Sequence, residues 1–333
     1  MGRSGITGVL ASAIISSMKQ SVRRAAREAK KGRVRQEKLE QVRSMVESAK
    51  AEIKKEEDYV NNLISLHKIH RDVMNWEQIQ NSSAPVLPER SDINERFTRN
   101  EREQYVPGFF DKFFRRVDLI IKSKDNAIEQ GRQKDEEKYR KRIDRYKKKY
   151  SIWREQVDLA TGILAENLET YKKVLQVYDL GERTKEAGRL LSVKIPHSDI
   201  IVVELNDIAE EVLPEKQAVA SKTGRLRYKS FTKAAYYDLY QKYVCSSAIR
   251  IAREIQSLLP VETVVVNLWG KVIDKVTLCK KRCLILTAAI TRKEINLTKV
   301  EEINPVEIVS KMTHNMKFKK NKGFEKVDKL DSR

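Results

Sequence analysis

Cysteine, proline and glycine are all scarce in this chain, and each scarcity removes a class of protein. Three cysteines in 333 residues, Cys245, Cys279 and Cys283, are too few and odd in number for a disulfide framework, which makes a reducing, cytoplasmic setting the expectation. Seven prolines and twelve glycines exclude collagen-like and Pro/Gly-rich disordered chains. No run of about 18 apolar residues occurs, so no conventional transmembrane helix is expected. A short apolar run, Ile6 to Ile15, contains Ala11-Ser12-Ala13, which mimics a signal-peptidase site. The apolar stretch ahead of it is too short, and Ile14 and Ile15 continue past it, so a cleaved leader is not expected. Ile6 also stands where a myristoylation pattern needs Ser or Thr. The chain has no P-loop, no Gly-x-Gly-x-x-Gly, no Gly-x-Ser-x-Gly and no His-Glu-x-x-His. It therefore carries no recognisable ATPase, and no cofactor is expected.

What is abundant is charge. Charged residues make up 34% of the chain, and 67 Lys and Arg against 47 Asp and Glu give a net charge of +20. That balance favours a polyanion: nucleic acid, an anionic membrane surface or an acidic protein.

The strongest pattern is a hydrophobic heptad. Ile143, Tyr146, Tyr150, Trp153, Val157, Ala160 and Leu164 step by threes and fours. The series resumes with Leu168, Tyr171, Leu175 and Tyr178 after one extra four-residue step. This is a coiled-coil seam with a local break in phase. A second seam runs through Val22, Ala25, Ala29, Leu39, Val42, Val46, Ala49, Ile53, Val60 and Leu63, then less regularly through Leu66, Ile69, Val73, Trp76 and Ile79. These predict helices over about 4–80 and 109–179, each roughly 100 Å long at 1.5 Å per residue. Between them, Pro85, Pro88 and Pro107-Gly108 mark a connector over 81–108, with a short helix near Ile93 to Gln104. The expected architecture for 1–180 is a long antiparallel coiled-coil hairpin, paired within one chain or across a homodimer. Self-pairing sets Ala25 and Ala29 against Thr161, Gly162 and Ala165.

After Gly181 to Gly188 the period changes. Ile200 to Leu205, Thr263 to Leu268 and Cys283 to Ile290 read as strands, and Glu211-Val212-Leu213 as a further one. Thr232 to Leu259 is an amphipathic helix stopped by Pro260, and Asn304-Pro305 is a helix start. Residues 190–333 are thus expected to be a compact α+β domain with a basic C-terminal tail after Met316.

Candidate chemistry is sparse. Cys279 and Cys283 are spaced like half of a zinc site, but only the isolated Cys245 and His314 accompany them. His67 and His70 share a helix face without a Glu-x-x-His element, which suits polar positions in a long coil. A metal-dependent nuclease needs clustered carboxylates and a lysine; Asp199 and Glu204 are followed by Asn206 where Lys is needed. No metal site is expected. On the helix at Thr232 to Leu259, Tyr236, Tyr240 and Tyr243 share one face, either as core aromatics or as a tyrosine-rich groove.

Basic clusters are the main functional signal. The clusters at Arg23 to Arg35 and Lys138 to Lys149 lie on the predicted rod, where carboxylates of the other helix offer partners. The third is less compensated: Lys317, Lys319, Lys320 and Lys322 interleave with Phe318 and Phe324, a pattern suited to phosphate contact plus base stacking. With Phe318, these lysines and Arg225, Arg227 and Lys229 are the candidate nucleic-acid contacts.

The segments Leu239-Tyr240-Gln241-Lys242-Tyr243-Val244-Cys245-Ser246 and Asn315-Met316-Lys317-Phe318-Lys319-Lys320-Asn321-Lys322-Gly323-Phe324 resemble those of a family of uncharacterised bacterial proteins. The resemblance spans roughly the last third of the chain. It implies a bacterial cytosolic origin and brings no activity. The reading from sequence is a non-enzymatic coiled-coil scaffold that binds a polyanion, most simply nucleic acid. Two alternatives stand beside it: a divergent nuclease in the C-terminal domain, and a peripheral protein held on anionic membranes by its N-terminal amphipathic helix.

Overall fold

A computed structural model describes residues 6–69, 71–273 and 279–330. It has a long helical N-terminal region and a C-terminal domain built on a mixed sheet. The side chains of the apolar run Ile6 to Ile15, of Ala25 and Ala29, and of His70 lie outside the described residues. Among the described residues no helix is long and apolar enough to cross a membrane. The chain divides into two units: 1–71 with 180–256 and 261–333, and 72–179 with 257–260.

In the first unit, α1 (Ile6–Ile64) is a single helix of 59 residues, about 90 Å long. Its later part packs on a two-stranded sheet of β3 (Lys216–Ala220) and β4 (Leu226–Ser230). There Glu56 accepts the Ala218 amide at 3.0 Å, and the Tyr59 hydroxyl donates to the Val212 carbonyl at 3.0 Å. Gly224, in the hairpin turn with φ 76°, lets the backbone come down on Val46. Farther toward the N-terminus the seam residues Leu39 and Val42 are exposed, as are Val34 and Met45 beside them.

The first helix does not continue to residue 80 as its periodicity predicts. It ends at Ile64 and passes into a 3-10 turn, Leu66–Lys68, because tertiary contacts replace its backbone bonds. The His67 amide and ring Nδ1 both meet the Ser246 hydroxyl, at 2.9 and 2.8 Å, and Arg253 donates to the His67 carbonyl at 2.6 Å. His67 is thus buried against another helix rather than a polar position in a coil.

The C-terminal sheet has the order β1 (Arg189–His197), β2 (Ile200–Asn206), β5 (Thr263–Ile273), β6 (Lys280–Thr291), β7 (Thr313–Lys319) and β8 (Gly323–Glu325). Neighbours are antiparallel except β2 and β5, which are parallel. Between that pair runs the crossover helix α9 (Lys233–Leu258). Every residue of α9 from Tyr243 to Ala252 is buried, as befits a helix apolar around most of its circumference. Ile249, Ile251 and Ile255 are fully buried, each stabilising the fold by about 1.5–3 kcal/mol, as are Ile201, Val203 and Leu205 on the period-two apolar side of β2. Short helices complete the unit: α7 (Leu180–Arg183), α8 (Ala209–Val212), α10 (Arg292–Leu297) and α11 (Pro305–Lys311). Asn304 caps α11, accepting the Val306 amide at 3.0 Å. Two expectations change here. Glu211-Val212-Leu213 is not a strand; Glu211 and Val212 close the single turn of α8, with the Leu213 amide bonded back to Ala209. The segment after Met316 is not a tail but the hairpin β7–β8.

In the second unit, α5 (Val117–Leu164) is the backbone, with α2 (Trp76–Gln80), α3 (Ile93–Glu103), α4 (Phe109–Phe113) and α6 (Leu168–Val177) around it. The predicted helix over 109–179 is interrupted twice, at Arg115 and at Glu166, both with φ 54°. The second interruption falls on the extra four-residue step of the heptad: Asn167 caps a new helix there, accepting the Glu169 and Thr170 amides. Gly162 is small because Thr170 of α6 packs on it. Within this unit α5 packs on α2, α3 and α6, while its seam residues Tyr150 and Leu164 stay exposed. The Trp153 indole donates to the Ser82 hydroxyl at 3.0 Å, and the Trp76 indole donates to the Leu258 carbonyl at 2.8 Å. Gly131 takes α3 at close range; a Cβ there would lie 2.8 Å from the Asn94 carbonyl.

Candidate functional site

The parallel strands β2 and β5 end side by side, with Asn206 opposite Trp269. Ligands of α/β sheets gather at the carboxyl ends of parallel strands, where the chain turns away and backbone groups are left free. Here that end opens into a cavity of about 900 Å³. Asp207 follows β2 directly and is held on the floor: its amide donates to the Trp269 carbonyl at 2.8 Å, and its Oδ1 accepts the Ala209 amide at 3.1 Å. Its Oδ2 accepts the Tyr240 hydroxyl at 3.2 Å. Burial pushes the Asp207 carboxyl above the usual carboxylate range, and burial beside Asp207 pushes the Tyr240 hydroxyl upward, so Tyr240 stays a proton donor. Gly270 on β5 leaves the room: a Cβ there would collide with Asp207 Oδ2 and sit 2.8 Å from the Tyr240 oxygen.

The walls are aromatic and ionic. Tyr236 and Tyr237 of α9 line one side, and Phe324 closes another, packed edge-on to Tyr240 at 5.0 Å. Glu210 is bound by both Lys271, at 2.7 Å, and Lys280, which together hold its carboxyl below the usual range. Arg189 grips Glu211 through two bonds of 2.8 Å. Lys233 and Lys322, far apart in sequence, both line the cavity, and neither has a carboxylate within ion-pair distance among the described residues.

The sequence-predicted contacts fall into two groups beside it. Arg227 and Lys229 lie on β4 with Arg225 just ahead of it, alternating with Leu226 and Tyr228. Tyr228 stands opposite Ala218, on the face turned to Glu56 of α1, so the three basic residues share the other face. All three are exposed. Lys317, Phe318 and Lys319 lie on β7, with Lys320 and Lys322 in the turn to β8. Lys319 is tied to Glu325 at 2.8 Å, whereas Lys317, Lys320 and Lys322 point to solvent. Phe318 is half-buried and packs on the buried Phe324 at 5.2 Å, so Phe324 serves the core and is not free to stack on a base. Of these predicted contacts only Lys322 lines the cavity; the segments that follow β4 and join β7 to β8 reach it through Phe231 and Lys233 and through Lys322, Gly323 and Phe324.

Sequence reading missed Asp207, Glu210, Lys271 and Lys280. The signal was present in Asn206-Asp207, a polar pair closing the apolar run Ile200 to Leu205. The tyrosine face of α9 is divided between both earlier readings: Tyr236 and Tyr240 reach the cavity, while Tyr243 is core, its hydroxyl donating to the Glu186 carbonyl at 2.9 Å.

The nuclease pair does not converge. Asp199 precedes β2 and Glu204 lies five residues on, about 17 Å along an extended strand. Glu204 is engaged by the Trp269 indole and by Lys329, both at 2.5 Å. Cys279 and Cys283 are about 13 Å apart by the same measure, and Cys245 is buried in α9. Among the described residues no group of three His, Cys, Asp or Glu side chains is placed to hold a metal ion. Comparison with protein-family models, with curated proteins and with solved structures gives no match to this chain.

Proposed function

We propose that this protein is a non-enzymatic scaffold of the bacterial cytoplasm that binds nucleic acid through the face around the β2–β5 cavity. One observation carries the reading: Arg225, Arg227 and Lys229 form a stripe along β4, Lys317, Lys320 and Lys322 stand on the β7–β8 hairpin, and all six are exposed without carboxylate partners among the described residues, with Lys322 lining the aromatic-walled cavity. Unpaired cations of this kind neutralise phosphates and release counterions, while Tyr236 and Tyr237 take the stacking role first given to the phenylalanines. A mixed-charge cavity with a protonatable carboxyl also suits the edge of a base.

The long helices supply spacing. In this reading the exposed seam residues Leu39 and Val42 of α1, with Val34 and Met45 beside them, form the antiparallel coiled coil across a homodimer, since leaving four such residues in water favours pairing. Replacing Leu39 and Val42 by Glu then halves the particle mass in sedimentation.

The test of the main reading is fluorescence anisotropy with single-stranded DNA and RNA across a salt series, using the full chain. Changing Arg227 and Lys229 to Gln is expected to weaken binding and to reduce the salt slope by about two, one for each lost phosphate contact. No binding at low salt by the unaltered protein refutes the reading.

A further inference from the structure

In the second unit Asn94 meets Asp135, Thr98 faces Gly131 and Arg102 pairs with Asp125, so α3 and α5 run antiparallel and the chain reverses over residues 104–116. That reversal is a built tip. The Tyr105 hydroxyl and the Gly108 amide both donate to Asp111 Oδ2, at 2.9 and 3.1 Å, and the Arg116 amide returns to the Asp111 carbonyl at 2.9 Å.

On it stand four phenylalanines that bury little. Phe109, Phe110, Phe113 and Phe114 are 77%, 71%, 69% and 56% exposed. At 100° per residue they occupy an arc of about 140° on one side of α4. They touch mainly one another, with ring centroids 5.1 to 6.1 Å apart. Val106 and Leu119 extend the patch. Beside the rings lie Lys112, Arg115 and Arg116, none with a carboxylate within ion-pair distance among the described residues, and Arg116 stacks over Phe114 at 5.5 Å. The one acid of the tip, Asp111, is consumed by its own cap and by Tyr105.

We propose that this tip inserts into the interface of an anionic membrane, the rings entering the headgroup–acyl boundary and the three cations meeting lipid phosphates and carboxylates. The shape and the charge select that occupant. The rings protrude from a convex turn rather than line a groove, which suits a deformable surface. A second copy of the tip would bring three positive charges against three. Exposed rings beside basic side chains are the pattern of interfacial anchoring, and each basic residue near an anionic surface strengthens binding about five-fold. These residues are distinct from the N-terminal helix considered from sequence and from the nucleic-acid face.

Flotation of the full chain with vesicles of one part phosphatidylserine to two parts phosphatidylcholine, and with phosphatidylcholine alone, tests the proposal. Three proteins are compared: unaltered, Phe110→Ser with Phe113→Ser, and Lys112→Gln with Arg115→Gln and Arg116→Gln. The exposed positions make unfolding avoidable, which circular dichroism checks. The expected result is flotation with the phosphatidylserine vesicles only, weakened at least ten-fold by the serine pair and about a hundred-fold by the glutamine triple, with nucleic-acid binding unchanged by the serine pair. Absence of flotation overturns the proposal. So does flotation that the serine pair leaves intact, since adsorption of a protein of charge +20 would explain it. Equal binding to both vesicle types, or self-association that depends on the phenylalanines without flotation, also overturns it.

Discussion

The Asp207 carboxylate and the Tyr240 hydroxyl meet at 3.2 Å across space that Gly270 leaves open. Strand, crossover helix and the end of the neighbouring strand are tied at this one point. A methyl group at 270 would overlap the bond itself. Gly270→Ala is therefore expected to destabilise the protein by about 1–3 kcal/mol, the usual cost of overpacking a closed site. Urea unfolding measures it. An alanine variant as stable as the parent would mean that β5 shifts freely, and the cavity would not be preorganised.

The same carboxyl has a pH signature. Burial raises its pKa in the folded state, so the native protein binds more protons than the unfolded chain between the unfolded value, about 4, and the raised one. Its contribution to stability is fully present below that window and is lost as pH rises through it. Asp207→Asn fixes the group neutral and removes the loss. The variant should gain on the parent as pH goes from 4 to 7 in urea unfolding series. Parallel pH profiles for the two proteins would mean that Asp207 is solvated like a surface carboxylate.

How much of this was legible in the sequence depends on where each element's partners lie. The β2, α9 and β6 segments were readable because their period and stops are local: Ile200 to Leu205, Pro260, the β-branched runs. Asn304-Pro305 likewise announced its helix. The end of α1 was not readable, because the periodic series through Leu66, Ile69 and Trp76 has no breaker; it ends only because Ser246 and Arg253 bind His67 from far along the chain. The heptad step at Leu164 to Leu168 was visible as a phase slip, but whether a slip strains a continuous helix or breaks it is decided by the Asn167 cap and the Thr170 packing on Gly162. The basic residues of the site were legible as composition. The cavity at Asp207 was not, because it needs the parallel pairing of β2 with β5 across an interval of some 60 residues.

His67 gives the opposite pH dependence. Burial pushes its imidazole down to about 4, and neighbouring Lys68 and Arg253 add to the effect. The unfolded chain then binds more protons than the native one between pH 6.5 and 4, so the stabilisation is complete above 6.5 and is lost as pH falls through this window. From the size of the shift the loss is about 3 kcal/mol. His67→Gln, which can keep a bond to Ser246, should flatten the acid limb between pH 6.5 and 4.5. An unchanged limb would assign acid sensitivity to other groups.

Glu254 is the charge the fold can least do without. It is fully buried in α9, with Oε1 2.6 Å from Arg183 Nε and Oε2 2.5 Å from Arg250 Nη1 and 3.3 Å from Arg71 Nε. One carboxylate thus offsets three guanidiniums, Arg71 from the segment after the 3-10 turn, Arg183 of α7 and Arg250 of α9, and Arg250 is itself buried. Removing the acid leaves a buried positive charge uncompensated, so Glu254→Gln is expected to cost about 3–5 kcal/mol. Arg71 is half-exposed, and Arg71→Ala leaves Glu254 its bonds to Arg183 and Arg250; a solvent-screened pair of this kind is worth about 0–1 kcal/mol. A double-mutant cycle between Arg250 and Glu254 should then return strong coupling, and one between Arg71 and Glu254 weak coupling. If Glu254→Gln unfolds within 1 kcal/mol of the parent, roughly the resolution of such measurements, the three arginines do not depend on the glutamate and water must reach them.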